Sequence, residues 1–172
     1  MVRAMYRVRQ FFRALTASLT EDDLTPVARV LTPKQQALFL RMSPADRRHS
    51  LAVYRALDRE GGLPRDLLVA ALLHDVGKAA APMPLWVRVA TVLLDRLAPR
   101  ALERISEGEA RGWRQPFAVY RRHAEIGAEW AAEAGCSPLT VDLIRRHHTP
   151  PGQTDREVDR LLRKLQQADG NW

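Results

Sequence analysis

The five histidines of the chain and two of its aspartates all fall on the apolar sides of predicted helices. Imidazole and carboxylate groups are costly to bury unless a partner satisfies them, and a metal ion is a common partner. A mixed nitrogen and oxygen set suits Mn, Fe, Co, Ni or Zn better than Ca. The set comprises His49, His74, Asp75, His123, His147, His148 and Asp169.

These candidate ligands are too many for one closed tetrahedral ion. They predict one or two divalent transition metals, and two ions bridged by a carboxylate and a water would use the whole set. Two adjacent ions can bind phosphate oxygens, lower the pKa of the bridging water and stabilise the leaving oxygen. The residue types therefore indicate hydrolysis of a phosphoester.

Helix start and stop signals place these residues on several helices of one all-α domain, a helical bundle. Residues 1–42 are expected to form a helical extension packed on the core, and residues 43–172 the metal-binding helical domain. Helices are predicted over 2–19, 32–42, 43–61, 64–77, 84–97, 99–107, 117–135, 137–148 and 154–169, with Thr154 as the last cap.

Composition restricts the class of protein and its partners. The chain has 172 residues and a net charge of +7, which suits a polyanionic ligand such as a nucleotide. A single cysteine, Cys136, excludes a disulfide framework, so we expect a cytoplasmic protein. No transmembrane segment is expected, and the apolar stretch 83–94 is interpreted as core or homodimer contact. No helix carries a basic recognition stripe, so a stable nucleic-acid complex is not expected.

Three segments resemble the HD-domain metal-dependent phosphohydrolases. LLVAALLHDVGK is close to the family's HDxGK form, RRHSLAVYRAL holds its first histidine, and LQQADG holds its last aspartate. The resemblance covers roughly residues 43–170 and implies a helical bundle of the HD type. It also implies a first metal held by His49, His74, Asp75 and Asp169, and a phosphate-neutralising role for Lys78.

Two further segments resemble the HD-GYP and dinucleoside-tetraphosphatase-like branches of that family. HAEIGAEWA and IRRHHTP imply a second metal held by His123 and His148, with Asp75 bridging the two ions. His147 is either a further ligand or only part of the pocket lining, because one histidine suffices in the tetraphosphatase-like branch. The chain reads HHTPPGQTD where HD-GYP proteins carry their GYP signature, so hydrolysis of cyclic-di-GMP is not predicted.

Pairs of arginines precede three of the histidines. On a helix, the residue before an inward histidine is rotated about 100° away from it. Arg48, Arg122 and Arg146 could therefore line the pocket rim and bind phosphate through their forked guanidinium groups. A solvated helix face is the simpler interpretation of the same arginines.

The sequence thus predicts a metal-dependent phosphohydrolase that acts on a nucleotide or another small phosphoester. A water between the two metals would attack phosphorus, with Asp75 and Lys78 as catalytic groups. Phosphomonoester and phosphodiester substrates both stay open. The alternative is a catalytically silent HD module that binds a nucleotide and regulates a partner.

Overall fold

All regular secondary structure in the described part of the chain is helical. The structure is a computed structural model that describes residues 21–108, 111–152 and 156–170. These residues contain no strand, so the predicted all-α class is confirmed. The α-helices are α1 (Glu21–Val30), α2 (Pro33–Leu40), α3 (Pro44–Asp58), α4 (Arg65–Leu73), α5 (Leu85–Leu97), α6 (Pro99–Ser106), α7 (Gln115–Glu133), α8 (Pro138–Arg146) and α9 (Glu157–Asp169). Two short 3₁₀ helices are η1 (Val76–Ala80) and η2 (Gly112–Arg114).

Hydroxyl side chains cap three helices at the positions that the sequence predicts. Thr32, Ser43 and Ser137 each accept a hydrogen bond from the backbone amide three residues further on. A proline follows each cap, and its fixed φ suits the first helical position. These caps fix the start of α2, α3 and α8.

No helix is predicted over the residues of α1, which contains Pro26. A proline inside a helix removes one hydrogen-bond donor and disfavours the helix. Tertiary packing compensates here, since Val27 and Val30 are buried in the main core. The helix predicted over 2–19 and the cap predicted at Thr154 lie outside the described residues.

The helix predicted over 64–77 ends earlier than expected. α4 ends at Leu73, and the chain continues into the 3₁₀ helix η1. His74 and Asp75 therefore lie at a change of helix type rather than within a regular helix. This change lets both adjacent side chains point toward the centre of the bundle.

Two hydrophobic cores hold the described helices together. The main core takes side chains from α1 to α4 and from α7 to α9. A small second core, around Val87, Leu102 and Phe117, lies between α5, α6 and α7. Within the described ranges, no helix is long and apolar enough to cross a membrane.

Segment η1 packs directly on the backbone of α7. A Cβ atom at Gly77 would lie 2.0 Å from the carbonyl oxygen of His123 and 2.7 Å from the amide nitrogen of Gly127. Only a glycine fits such a close approach of two backbones. This contact brings Asp75, two residues before Gly77, next to His123.

Candidate metal centre

The structure brings all seven predicted ligands together. They arise from α3, the α4–η1 junction, α7, the end of α8, and α9. Six of them form two groups, and in each group one ligand atom per residue lies within 4.8 Å of the others. The first group is His49, His74 and Asp169, and the second is His123, His147 and His148.

Asp75 lies between the two groups, and its two carboxylate oxygens face different groups. Oδ2 lies 3.6 Å from His74 Nε2 and 3.9 Å from His49 Nε2. Oδ1 lies 3.4 Å from His123 Nε2 and 3.9 Å from His147 Nε2. This is the placement that a carboxylate needs to bridge two ions.

Three of the histidines are oriented by backbone carbonyls of their own helices. His74 Nδ1 lies 3.0 Å from the Ala71 oxygen, and His147 Nδ1 lies 2.6 Å from the Ile144 oxygen. His123 Nδ1 donates to the Tyr120 oxygen in the same way. A carbonyl only accepts, so Nδ1 carries the proton and Nε2 is left as the ligand atom.

The Nε2 atoms that carry no proton are better suited to bind a metal than to contact one another. His74 Nε2 is buried and has no hydrogen-bond partner. His123 Nε2 lies 3.3 Å from His147 Nε2 and 3.1 Å from His148 Nε2. Because His123 and His147 carry their proton on Nδ1, their two Nε2 atoms present lone pairs to each other, which a shared cation satisfies. The donor set therefore fits a divalent metal ion in each group.

The carboxylates of the centre are held in their ionised form. Burial raises the pKa of Asp75, but Lys78 and His74 outweigh burial and hold it well below its usual range. Burial likewise raises the pKa of Asp169, and its contacts with His49 and His74 reverse that effect. Both groups are therefore anionic at neutral pH, as metal ligands must be.

The pKa shifts of the histidines differ between the two groups. Burial lowers the pKa of His147 well below its usual value, and it also lowers the pKa of His148. Burial lowers the pKa of His74 too, but Asp75 and Asp169 outweigh it and raise the pKa overall. The first group thus favours a cation at His74 Nε2, whether a proton or a metal, while His147 and His148 of the second group offer neutral ligands.

Lys78 lies at the edge of the centre. Its Nζ donates a hydrogen bond to Asp75 Oδ2 over 2.6 Å, and its side chain is 19% exposed. Burial lowers the pKa of Lys78, but the charge and hydrogen bond of Asp75 raise it overall, so the amine is a cation. Lys78 therefore adds a positive charge beside the carboxylate of Asp75.

A cavity of about 320 Å³ shares Lys78 with the centre. Its lining also contains an ion pair that the sequence did not predict, between Asp46 of α3 and Arg88 of α5. Arg88 Nη1 and Nη2 each donate to one Asp46 oxygen over 2.7 Å, and Ser43 Oγ donates to the same carboxylate over 2.6 Å. The sequence offered one signal for this ion pair, since Arg88 interrupts an apolar run. Its partner could not be identified from the sequence, because Asp46 lies 42 residues away.

Replacing Asp46 by Asn is expected to destabilise the protein in a pH-dependent way. Burial raises the pKa of Asp46, but Arg88 outweighs it and holds the pKa below its usual value. The stabilisation is therefore present above the unfolded-state pKa and lost as the pH falls through the folded-state pKa. We expect about 2–3 kcal/mol lower free energy of unfolding at pH 7, because a mostly buried pair is broken.

Urea denaturation of both proteins across the acidic range measures this effect. The difference between wild type and Asp46→Asn should shrink from about pH 4 downward. A difference that is constant across this range would contradict the assignment of the pKa shift to the ion pair.

The predicted phosphate-binding arginines are placed differently from one another. Arg146 is ion-paired with Asp142 of its own helix at 3.0 Å and with Asp159 of α9 at 2.9 Å. Arg122 is exposed, and Arg48 is half-buried on α3. The structure therefore connects α8 to α9 through Arg146, while phosphate binding by these three residues stays a prediction.

Comparison with known proteins assigns the family. The sequence pattern of the HD domain matches residues 47–170, which is more than half of the chain. The chain belongs to the HD domain family, whose superfamily comprises metal-dependent phosphohydrolases. The matched span begins before His49 and ends after Asp169, so it contains both ligand groups. Neither the curated proteins nor the solved structures include a match to the chain.

Proposed function

We propose that the protein is a two-metal phosphohydrolase that acts on a nucleotide or another small phosphoester. The observation that carries this proposal is the position of Asp75, whose oxygens face one ligand group each. One group would hold an ion through His49, His74, Asp169 and Asp75. The other would hold an ion through Asp75 and the second group of histidines, His123, His147 and His148.

The side chains of the centre have separate tasks in this proposal. Two divalent ions, when bound, polarise phosphate oxygens and lower the pKa of a water between them. Asp75 fixes the spacing of the two sites and balances part of their charge. Lys78 neutralises a phosphate oxygen at the entrance, and the backbone carbonyls behind the histidines hold the ligands in one orientation.

The surroundings of the centre favour a small anionic substrate. The adjoining cavity has a volume of about 320 Å³, which is at the lower end of the range for small-molecule sites. Three cationic side chains line it, Arg41, Lys78 and Arg88, against the single carboxylate of Asp46. A small anionic substrate fits that balance.

Metal analysis and hydrolysis assays test the proposal directly. The full chain would be purified without added chelator, its metal content measured, and Mn²⁺ titrated back into the apoprotein. Activity would be assayed on bis-p-nitrophenyl phosphate, nucleoside monophosphates and a dinucleoside tetraphosphate. We expect close to two ions per chain and metal-dependent turnover of at least one class. Less than one ion per chain at saturating Mn²⁺ would overturn the proposal.

The same assays distinguish the alternative of a silent regulatory module. Such a module would bind a nucleotide tightly, in calorimetry with Mn²⁺ present, and would release no product. A retained ligand set favours catalysis, since a binding module can function after losing metal ligands. Nucleotide binding without turnover in the fully metallated protein would replace the hydrolase by this alternative.

Replacing Lys78 by Ala is expected to lower kcat/KM by about 10²-fold, as the loss of one preorganised charge at a developing anion does. Metal content should stay near the wild-type value, because Lys78 donates a hydrogen bond to Asp75 Oδ2 but supplies no ligand atom itself. Lys164→Ala, which removes an exposed partner of Glu60, is the matched control. Equal kcat/KM for wild type and Lys78→Ala would remove Lys78 from the site.

A further inference from the structure

Arg41 differs from the other two cations that line the cavity beside the centre. Lys78 donates to Asp75, and Arg88 donates to both carboxylate oxygens of Asp46. Within the described ranges, no carboxylate forms an ion pair with Arg41, and no oxygen accepts a hydrogen bond from its guanidinium group. The charge and the N–H donors of Arg41 are therefore available to a ligand of this cavity.

The indole ring of Trp130 holds the Arg41 guanidinium group in place. Arg41 Cζ lies over this ring, 3.8 Å from its centroid, which is a cation–π contact. Trp130 belongs to α7 and packs against the main core, so the ring is itself held. An aromatic face offers no oxygen acceptor, so the contact positions the forked donor group without using its hydrogen bonds.

The backbone at Arg41 is fixed by the elements on either side of it. Arg41 is the C-cap of α2, the next residue, Met42, is 2% exposed in the main core, and Ser43 caps α3. Helix α3 carries His49, and α2 also contacts α7, which carries His123. The fold therefore sets the position of Arg41 relative to both ligand groups.

The carboxylate in the cavity lining does not oppose the binding of an anion. Both oxygens of Asp46 accept from Arg88 over 2.7 Å, and Ser43 Oγ donates to one of them over 2.6 Å. Asp46 is thus neutralised by its partners. The remaining positive charge in the lining belongs to Arg41 and Lys78, and it favours an oxyanion over a metal cation.

Lys78 connects the cavity to the candidate metal centre. Its Nζ contacts Asp75 of the centre, and the same side chain lines the cavity together with Arg41. A ligand with one oxyanion at the centre and another in the cavity would therefore have Lys78 between its two charged groups. A ligand with a single oxyanion can use only one of these two positions.

We propose that Arg41, held on Trp130, forms a second oxyanion subsite, which selects substrates with a phosphate or carboxylate group besides the scissile phosphate. This inference rests on the proposed function, since the first oxyanion is the phosphoester at the metals. The forked N–H donors of an arginine match two oxygens of either group. Arg41 is then a specificity residue and Trp130 a positioning residue, and neither takes part in bond cleavage.

Calorimetric titration with alkylphosphonates tests this subsite in the full chain with Mn²⁺ present. A phosphoesterase does not cleave their carbon–phosphorus bonds, so binding is measured without turnover. Each α,ω-alkanediphosphonate from ethane to octane would be compared with the monophosphonate of the same chain length. We expect at least one diphosphonate to bind about tenfold more tightly, as one additional charge-assisted contact provides. The absence of a preference at every chain length would overturn the proposal.

Replacing Arg41 by Ala should abolish the preference for the diphosphonate. Arg59→Ala is the matched control, because it removes an exposed arginine from the opposite end of α3 and should keep the wild-type preference. The ratio of the two affinities is the measured quantity, so a general loss of stability does not imitate the result. A preference that persists in Arg41→Ala would place the second oxyanion elsewhere and contradict the subsite.

Two replacements of Trp130 test its positioning role. Trp130→Phe retains an aromatic face and should keep most of the preference, whereas Trp130→Leu should lose it. Thermal denaturation of both variants checks that the fold survives, since Trp130 packs against the main core. An equal preference in Trp130→Leu and wild type would contradict the positioning of Arg41 by this ring.

A further series and the turnover assay complete the test. ω-Carboxyalkylphosphonates that bind as tightly as the diphosphonates would identify a carboxylate as an accepted second group, and weaker binding would identify a phosphate. Turnover of phosphoesters without any preference that depends on Arg41 would keep the hydrolase and remove the subsite. A preference that depends on Arg41 in a protein without turnover would support the subsite and contradict the hydrolase.

Discussion

Replacing Asp75 by Asn is expected to reduce bound metal from about two ions per chain to fewer than one. An amide offers one neutral oxygen in place of two anionic ones, so it cannot hold the two ligand groups to a shared pair of ions. Phosphoester hydrolysis should fall by at least about 10³-fold, because the lost electrostatic stabilisation amounts to several kcal/mol. Metal analysis and the Mn²⁺-dependent assay measure both effects.

Asp58→Asn is the control for this prediction. Asp58 lies at the end of α3, where it forms an exposed ion pair with Arg29 at 3.3 Å. Its replacement should leave metal content and turnover unchanged, since exposed pairs contribute little. Two ions per chain in Asp75→Asn, with wild-type turnover, would contradict the bridging role of this carboxylate.

Gly77→Ala is expected to disrupt the centre without changing any ligand. The added methyl group would lie 2.0 Å from the His123 carbonyl oxygen, and that atom belongs to a helix backbone and cannot rotate away. Segment η1 must then move off α7 and take Asp75 away from His123. Overpacking of this kind typically lowers the free energy of unfolding by about 1–3 kcal/mol.

Thermal denaturation and metal analysis together test this expectation. For a chain of this length, the loss corresponds to a decrease in Tm of roughly 2–12 °C. Gly127→Ala is the graded comparison, because a Cβ atom there would lie 3.2 Å from the Gly77 amide nitrogen and requires only a small shift. A Gly77→Ala protein as stable as Gly127→Ala, with full metal content, would show that the close contact is not needed.

The positions of the candidate metal ligands on their helices follow from local sequence signals. Helical spacing places His49, His123 and Asp169 on inward faces, and the hydroxyl cap at Ser43 fixes where the helix of His49 begins. Both signals act within one helical turn, so a single sequence contains them. The same spacing left the role of His147 open, whereas the structure places its Nε2 within the second ligand group.

Other features depend on contacts that local patterns do not encode. The ion pair between Asp46 and Arg88 joins residues that are 42 positions apart. Which carboxylate Arg88 contacts depends on how α5 packs on the bundle. The position of Asp75 between the two groups depends on the end of α4 at Leu73 and on the contact of Gly77 with α7. Regular helix geometry predicts neither the end of α4 at Leu73 nor the Gly77 contact, because both arise where the regular helix stops.

The carbonyl contacts behind His74, His123 and His147 have a consequence for how the centre assembles. Each contact lies within the histidine's own helix, three residues back, so the ligand tautomer is already selected when that helix forms. Docking of the helices then has only to bring prepared ligands together. The ions of the proposed centre could accordingly enter last, and a chelator should then yield a folded apoprotein that reloads without passing through an unfolded state.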